Sequence, residues 1–177
     1  MAQEIVAEEA LLRLTRLCGI NLITLYGVVG AVGDVRRFTQ SKKLVAYLGL
    51  NPSVSQSGNF QGSGALKRHG RGALRALLIQ SGKKLLEVNN PLQKWGLALA
   101  ARRGRNKAAV AVARKLCVAL WHVIMGHAIG TLERLDTLQT KLSKFATEIG
   151  PAALTAFGYN NKADFVEKKL YVLRSYP

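Results

Sequence analysis

Acidic side chains are nearly missing from the middle of this chain: between Val35 and Thr131 only Glu87 carries a negative charge. Two-metal phosphoryl chemistry needs several carboxylates close together, so this stretch alone cannot build such a site. Cysteine is equally scarce. Cys18 and Cys117 are the 2 in the chain, far apart, each in an apolar stretch and neither in a CxxC pair. That excludes a disulfide framework or a thiolate zinc site, and two buried, reduced thiols suit a cytoplasmic protein. No uninterrupted apolar run reaches the ~20 residues that a membrane span needs. The opening residues carry Glu4, Glu8 and Glu9 rather than a basic leader, so no signal peptide is expected. The expected location is the cytoplasm, on the nucleoid when DNA is bound.

What is present is positive charge. The same middle stretch holds 17 lysines and arginines, which accounts for the whole formal net charge of +16. A charge that large repels itself in a compact state, so a polyanionic partner is the natural reading. Charge alone also fits a basic ribosomal or chromatin-like protein. With 49% hydrophobic residues the chain has material for a real core.

The apolar pattern is helical almost throughout, so the expected fold class is all-α: a helix-hairpin-helix followed by a small helical bundle. Ile5, Leu11, Leu12, Leu14 and Leu17 mark a leading helix over residues 1–16, the end of a linker or coiled coil. Asn21 can cap a second helix through Leu22, Leu25, Val28 and Val29, and Ser41 a third, Lys42 to Leu48, ended by Gly49. Asn51 to Gly72 is rich in Gly, Ser, Asn and Gln, and reads as a long basic loop with room for a short hairpin. Helical periodicity resumes at Leu74. Pro91 fits the first turn of a helix from Leu92 to Arg102, Gly104 breaks it, and Asn106 can cap a long helix, Lys107 to Met125. Residues 17–127 are read as one DNA-binding domain. Residues 128–177 form a tail of unassigned role: one amphipathic helix, Gly150-Pro151, then weak short segments.

Three constellations carry chemistry. Leu14 to Thr24 ends one helix, turns at Gly19 and starts another at Asn21, with Gly30, Gly33 and Asp34 following. A helix-hairpin-helix over residues 14–34 offers backbone N–H groups of Gly19 and Asn21 to a phosphate. Asn21 stands where such hairpins commonly have a second glycine, and a plain interhelical turn fits the same residues. The second constellation is Ser57-Gly58 in the pliable loop, followed by Lys67, Arg68, Arg71 and Arg75. A serine hydroxyl can attack a phosphodiester while cations stabilise the charge that develops on phosphorus. Ser53 and Ser55 lie near enough to share the assignment, and a serine in such a loop is often only a loop residue. The third is Arg102, Arg103, Arg105 and Lys107, four cations in six residues at a helix junction, with Arg114 further along. They suit a phosphate backbone; a solvated turn is the plainer reading. Cys117, His122 and His127 are spaced by five. On one helix each step turns the side chain by ~140°, so no metal site is expected from them. Trp95 and Trp121 read as core residues, and Glu8 and Glu9 as a solvated helix face.

In order and spacing, these pieces resemble the C-terminal domain of the bridge-RNA-guided insertion-sequence transposases. The matching runs are Leu17 to Ile20, Gly33-Asp34 with Phe38, Lys43 to Pro52, Ser57-Gly58, Lys67 to Gly70 and Leu74 to Leu78. Asn90-Pro91, Arg102 to Gly104, Arg114 to Leu116 and Leu120-Trp121 complete the set. The resemblance implies Ser57 as a catalytic nucleophile for DNA cleavage and exchange. It also implies DNA and a guide RNA as partners, a RuvC-like domain that holds Mg²⁺ through four carboxylates, and a homo-oligomer. No cofactor is expected in this chain itself. Because that RuvC-like domain is missing here, a fragment, a split gene product or a decayed element is expected, inactive in isolation. The competing reading is a non-catalytic basic helical module that only holds DNA or RNA.

Overall fold

A computed structural model describes residues 9–57, 60–66, 72–127 and 132–175. One short helical turn, α1 (Glu9–Leu12), runs into a 3-10 turn at Arg13–Arg16; α2 (Leu22–Val32), a second 3-10 turn (Val35–Arg37) and α3 (Ser41–Tyr47) follow. An antiparallel hairpin, β1 (Pro52–Ser57) and β2 (Phe60–Leu66), separates these from α4 (Gly72–Leu85), α5 (Gln93–Arg103) and α6 (Arg105–Ile124). The tail holds α7 (Leu138–Ile149), α8 (Pro151–Ala156) and α9 (Lys162–Ser175). The helical class holds, and the segment read as a Gly/Ser loop contains the hairpin that the reading left room for.

The core is built around α6. Its small and branched residues Ala108, Ala109, Val112, Ala113, Leu116, Cys117 and Leu120 are fully buried, and α4, α5 and α3 pack against it. Small side chains let backbones approach closely. The closest approach is at Gly82 of α4, where a Cβ would stand 2.3 Å from the carbonyl oxygen of Ala109. Trp121 is buried as expected, and its Nε1–H donates to the Phe38 carbonyl at 2.8 Å, which ties α6 to the chain before α3.

Several expected boundaries shift. Asn21 does cap α2: its Oδ1 accepts from Thr24 N–H at 2.8 Å. Ser41 does not cap α3; it lies in the first turn, and Gln40 precedes it with extended backbone and no side-chain cap. Pro91 sits in the turn before α5, and Asn106 lies inside α6, which starts directly from Gly104. Trp95 is not core. It is exposed, with the Lys115 ammonium 4.7 Å from its ring centroid. Glu8 and the side chain of Glu9 lie outside the described residues.

The tail is anchored to the opening turn. Cys18 N–H donates to Leu132 O at 2.9 Å, and Arg134 N–H to Arg16 O at 2.8 Å. Arg16 and Glu133 form a buried ion pair, with side-chain exposures of 8% and 11%. Lys141 Nζ donates to the carbonyls of Thr15 at 2.8 Å and Leu17 at 3.0 Å. Phe145 stacks against Tyr26, whose hydroxyl donates to Glu148. The weak final segments prove to include the 14-residue helix α9, with Phe165 and Leu173 fully buried.

Candidate nucleic-acid interface

The turn between the Arg13–Arg16 segment and α2 is tight because Gly19 adopts φ +81°. It rests on α4: a Cβ at position 19 would meet Leu85 at 3.0 Å. Ile20 and Leu22 bury on either side of Asn21, which stays exposed at the start of α2. The turn opens onto a groove of about 600 Å³. Its polar lining includes Asn21, Thr24, Ser81, Lys84, Arg134 and Lys141, and Ile20, Ile23, Leu77 and Val88 make the apolar part. At its base Thr24 and Ser81 place their hydroxyls 3.4 Å apart.

Charge in the groove is shaped by burial. Lys141 is pushed down to about 8, first by burial and then by the neighbouring Arg134. The Cys18 thiol is raised, because burial outweighs the cations beside it. Asp136 is held below the usual carboxylate range, chiefly by its hydrogen bond from Arg134. Cys117, deep in the core, is pushed up to about 12 by burial, which leaves it an inert thiol.

The end of α4 links this groove to the second basic cluster. Lys84 pairs with Glu87 at 3.3 Å, and Glu87 with Arg105 at 3.2 Å. Gly104 makes a sharp turn between α5 and α6, so Arg102 and Arg103 end one helix where Arg105 and Lys107 begin the next, all four exposed. Arg114 and Lys115 continue the exposed face of α6. Gly19 and Asn21 are therefore joined to Arg105 across Lys84 and Glu87. Arg75, on the early turns of α4, is half-buried.

Ser57 is the last residue of β1. It pairs with Phe60, so the two strands place it at the turn end of the hairpin, away from the base pair Pro52 and Leu66. Lys67, Arg68 and Arg71 lie outside the described residues. Sequence reasoning missed Lys84, Arg134 and Lys141 as groove residues. Lys84 carried a signal, as a cation in the last turn of a helix beside the glycine turn. The other two arrive through long-range packing.

α6 ends at Ile124, so His127 is not on the same helix as His122, and their Nδ1 atoms lie 3.4 Å apart. Cys117 does not join them. Among the described residues no three His, Cys, Asp or Glu side chains form a metal-binding group. Glu87, the acidic residue of the basic cluster, stands between two cations, which does not suit the oxygen donor set Mg²⁺ needs. No helix among the described residues is long and apolar enough to cross a membrane.

Residues 11–95 match the model of the Transposase IS116/IS110/IS902 family. The chain is 35% identical over 122 residues to the "Transposase for insertion sequence element IS1111A" of Coxiella burnetii, covering 67% of this chain and 34% of that protein. It is 31% identical over 116 residues to the "Probable family 20 transposase" of Pseudomonas aeruginosa, covering 63% of this chain and 34% of that protein. Over these stretches the chain is similar to insertion-sequence transposases. It spans about a third of the length of these curated relatives. No solved structure matches it.

Proposed function

We propose that this chain is the DNA-binding part of an insertion-sequence transposase and that it contributes Ser57 as the nucleophile. The observation that carries the reading is the continuous surface from Asn21 through the groove and Lys84 to the Arg102–Lys107 cluster. It faces solvent, with Glu87 between Lys84 and Arg105 and Asp136 paired to Arg134 at the groove. Such a surface suits a phosphate backbone, whose contacts fix position without reading sequence. The family match supports the transposase part of the reading, since residues 11–95 include Gly19, Asn21, Ser57 and Arg75.

In the proposed step the Ser57 hydroxyl oxygen bonds to phosphorus as its proton leaves. The bond from phosphorus to the departing strand oxygen breaks, and that oxygen takes up a proton. Attack by a second strand's hydroxyl then reverses the step and restores the serine. Lys67, Arg68 and Arg71, which follow the hairpin in sequence, are the cations proposed to stabilise the extra negative charge. A guide RNA, a RuvC-like domain and other copies of the chain would complete the assembly, and any Mg²⁺ would be held by that domain.

The test supplies the RuvC-like domain and a guide RNA and looks for a protein–DNA adduct on a denaturing gel. Ser57→Ala is expected to abolish the adduct and leave DNA affinity unchanged within about twofold. An adduct that survives Ser57→Ala but disappears in Ser53→Ala or Ser55→Ala moves the role to that serine. DNA binding with no adduct from the parent chain overturns the catalytic part and leaves a basic binding module.

A further inference from the structure

The C-terminal end of α6 carries two imidazoles that the DNA-binding reading leaves unused. After Ile124 the chain passes through Met125 to Gly126, at φ +83°. His127 N–H then returns to the carbonyl of His122 at 2.9 Å, and Gly126 N–H to that of Val123 at 3.1 Å. This is the paired closure of a Schellman turn, which sets the side chain after the glycine against the one five residues before it. That place usually holds an apolar contact. Here it holds His122 and His127, with ring centroids 5.4 Å apart and Nδ1 facing Nδ1 at 3.4 Å. The Trp121 ring lies 4.9 Å from His122 and 6.2 Å from His127, centroid to centroid.

Three features favour a shared cation over a plain contact. Two nitrogens bound to one tetrahedral ion at ~2.0–2.1 Å stand about 3.3–3.4 Å from each other, which the observed separation matches. It is longer than the ~2.7–3.2 Å of an ordinary N–H hydrogen bond. The end of a long helix carries about half a negative elementary charge, which stabilises a cation placed there. Access is open: His127 is exposed and His122 half-buried, so a hydrated ion can enter and keep water on its remaining positions.

We propose that His122 and His127 together bind one late first-row divalent ion, of the Zn²⁺ or Cu²⁺ class, through their Nδ1 atoms. Imidazole nitrogen is the donor such ions prefer. With two protein ligands the remaining coordination positions are left for water or an external oxygen ligand. The ion would fasten the end of α6 at the point where the chain leaves the core helix for the tail.

The test uses the full chain without a purification tag, carrying Trp95→Phe so that Trp121 is the only indole. Cu²⁺ is titrated while Trp121 fluorescence is followed, since a bound Cu²⁺ ion at this distance quenches it. Saturable one-to-one quenching is expected, weakened at least tenfold in His122→Gln and in His127→Gln, and unchanged in His69→Gln. Quenching that fails to saturate, or that keeps full affinity in His127→Gln, overturns the proposal. His127 lies outside the helix and is exposed, so its variant decides the matter even if His122→Gln unfolds. Neither result depends on DNA binding.

Discussion

Gly82 and Ala109 hold α4 and α6 at a separation that no side chain at position 82 can share: a Cβ there would sit 2.3 Å from the Ala109 carbonyl oxygen and 3.0 Å from the Ala113 nitrogen. Both obstacles are backbone, so neither can rotate away. Gly82→Ala is expected to cost about 3 kcal/mol through overpacking. Urea unfolding would show this as a lower midpoint at unchanged slope.

Asn21 separates a structural from a binding role. Asn21→Ala removes the side-chain acceptor for Thr24 N–H and is expected to cost about 1 kcal/mol of stability. Asn21→Asp keeps the cap but places a negative charge beside the groove. It should retain the melting temperature while weakening DNA binding several-fold at low salt, measured by fluorescence anisotropy.

The cluster at the α5–α6 turn predicts a salt signature. Each phosphate contact adds about 0.9 to the slope of log K against log salt. Replacing Arg102, Arg103, Arg105 and Lys107 with Gln is expected to lower that slope by roughly 2–4, across DNA sequences alike. An unchanged slope would move the interface to another face.

Lys141 predicts a pH dependence. Burial lowers it from 10.5 to about 8 in the folded chain. Between those values the unfolded state binds more protons than the folded state, so this residue makes stability rise with pH through that window. Below about 8 both states are protonated and the cost of burying the charge is fully present. Comparing melting temperatures of the parent and Lys141→Met from pH 7 to 10.5 should show the rise shrink in the variant.

How much of this was legible depends on the range of the interaction. The Asn21 cap and the Gly104 break rest on local chemistry and could be read directly. Ser41 has the residue type of a cap, yet Gln40, one residue earlier, takes the extended backbone that starts α3. The hairpin is carried by backbone pairing in a stretch with no regular apolar alternation, which leaves little trace in Pro52 to Ser57. Trp95 reads as core by residue type, yet Gly96 is the residue of that turn that enters the core, against Leu86 and Val112. The His122–His127 contact was hidden by treating α6 as continuous past Ile124; Gly126 was the local sign of its end. The groove cations Arg134 and Lys141 meet the Gly19 turn from more than a hundred residues away, and no periodicity announces that.

The seam between the opening turn and the tail has a consequence for how this molecule can be divided. The stretch matched by the family model, residues 11–95, stops before α6, against which α4 packs with Gly82 at the closest approach. It also omits Lys141 and Leu132, the partners of the Thr15 and Leu17 carbonyls and the Cys18 amide. Cut out alone, it would bare one whole flank of the interior and orphan the polar groups that shape its own turn. The span of that family-model match and the span that closes its own core are, in this chain, two different lengths.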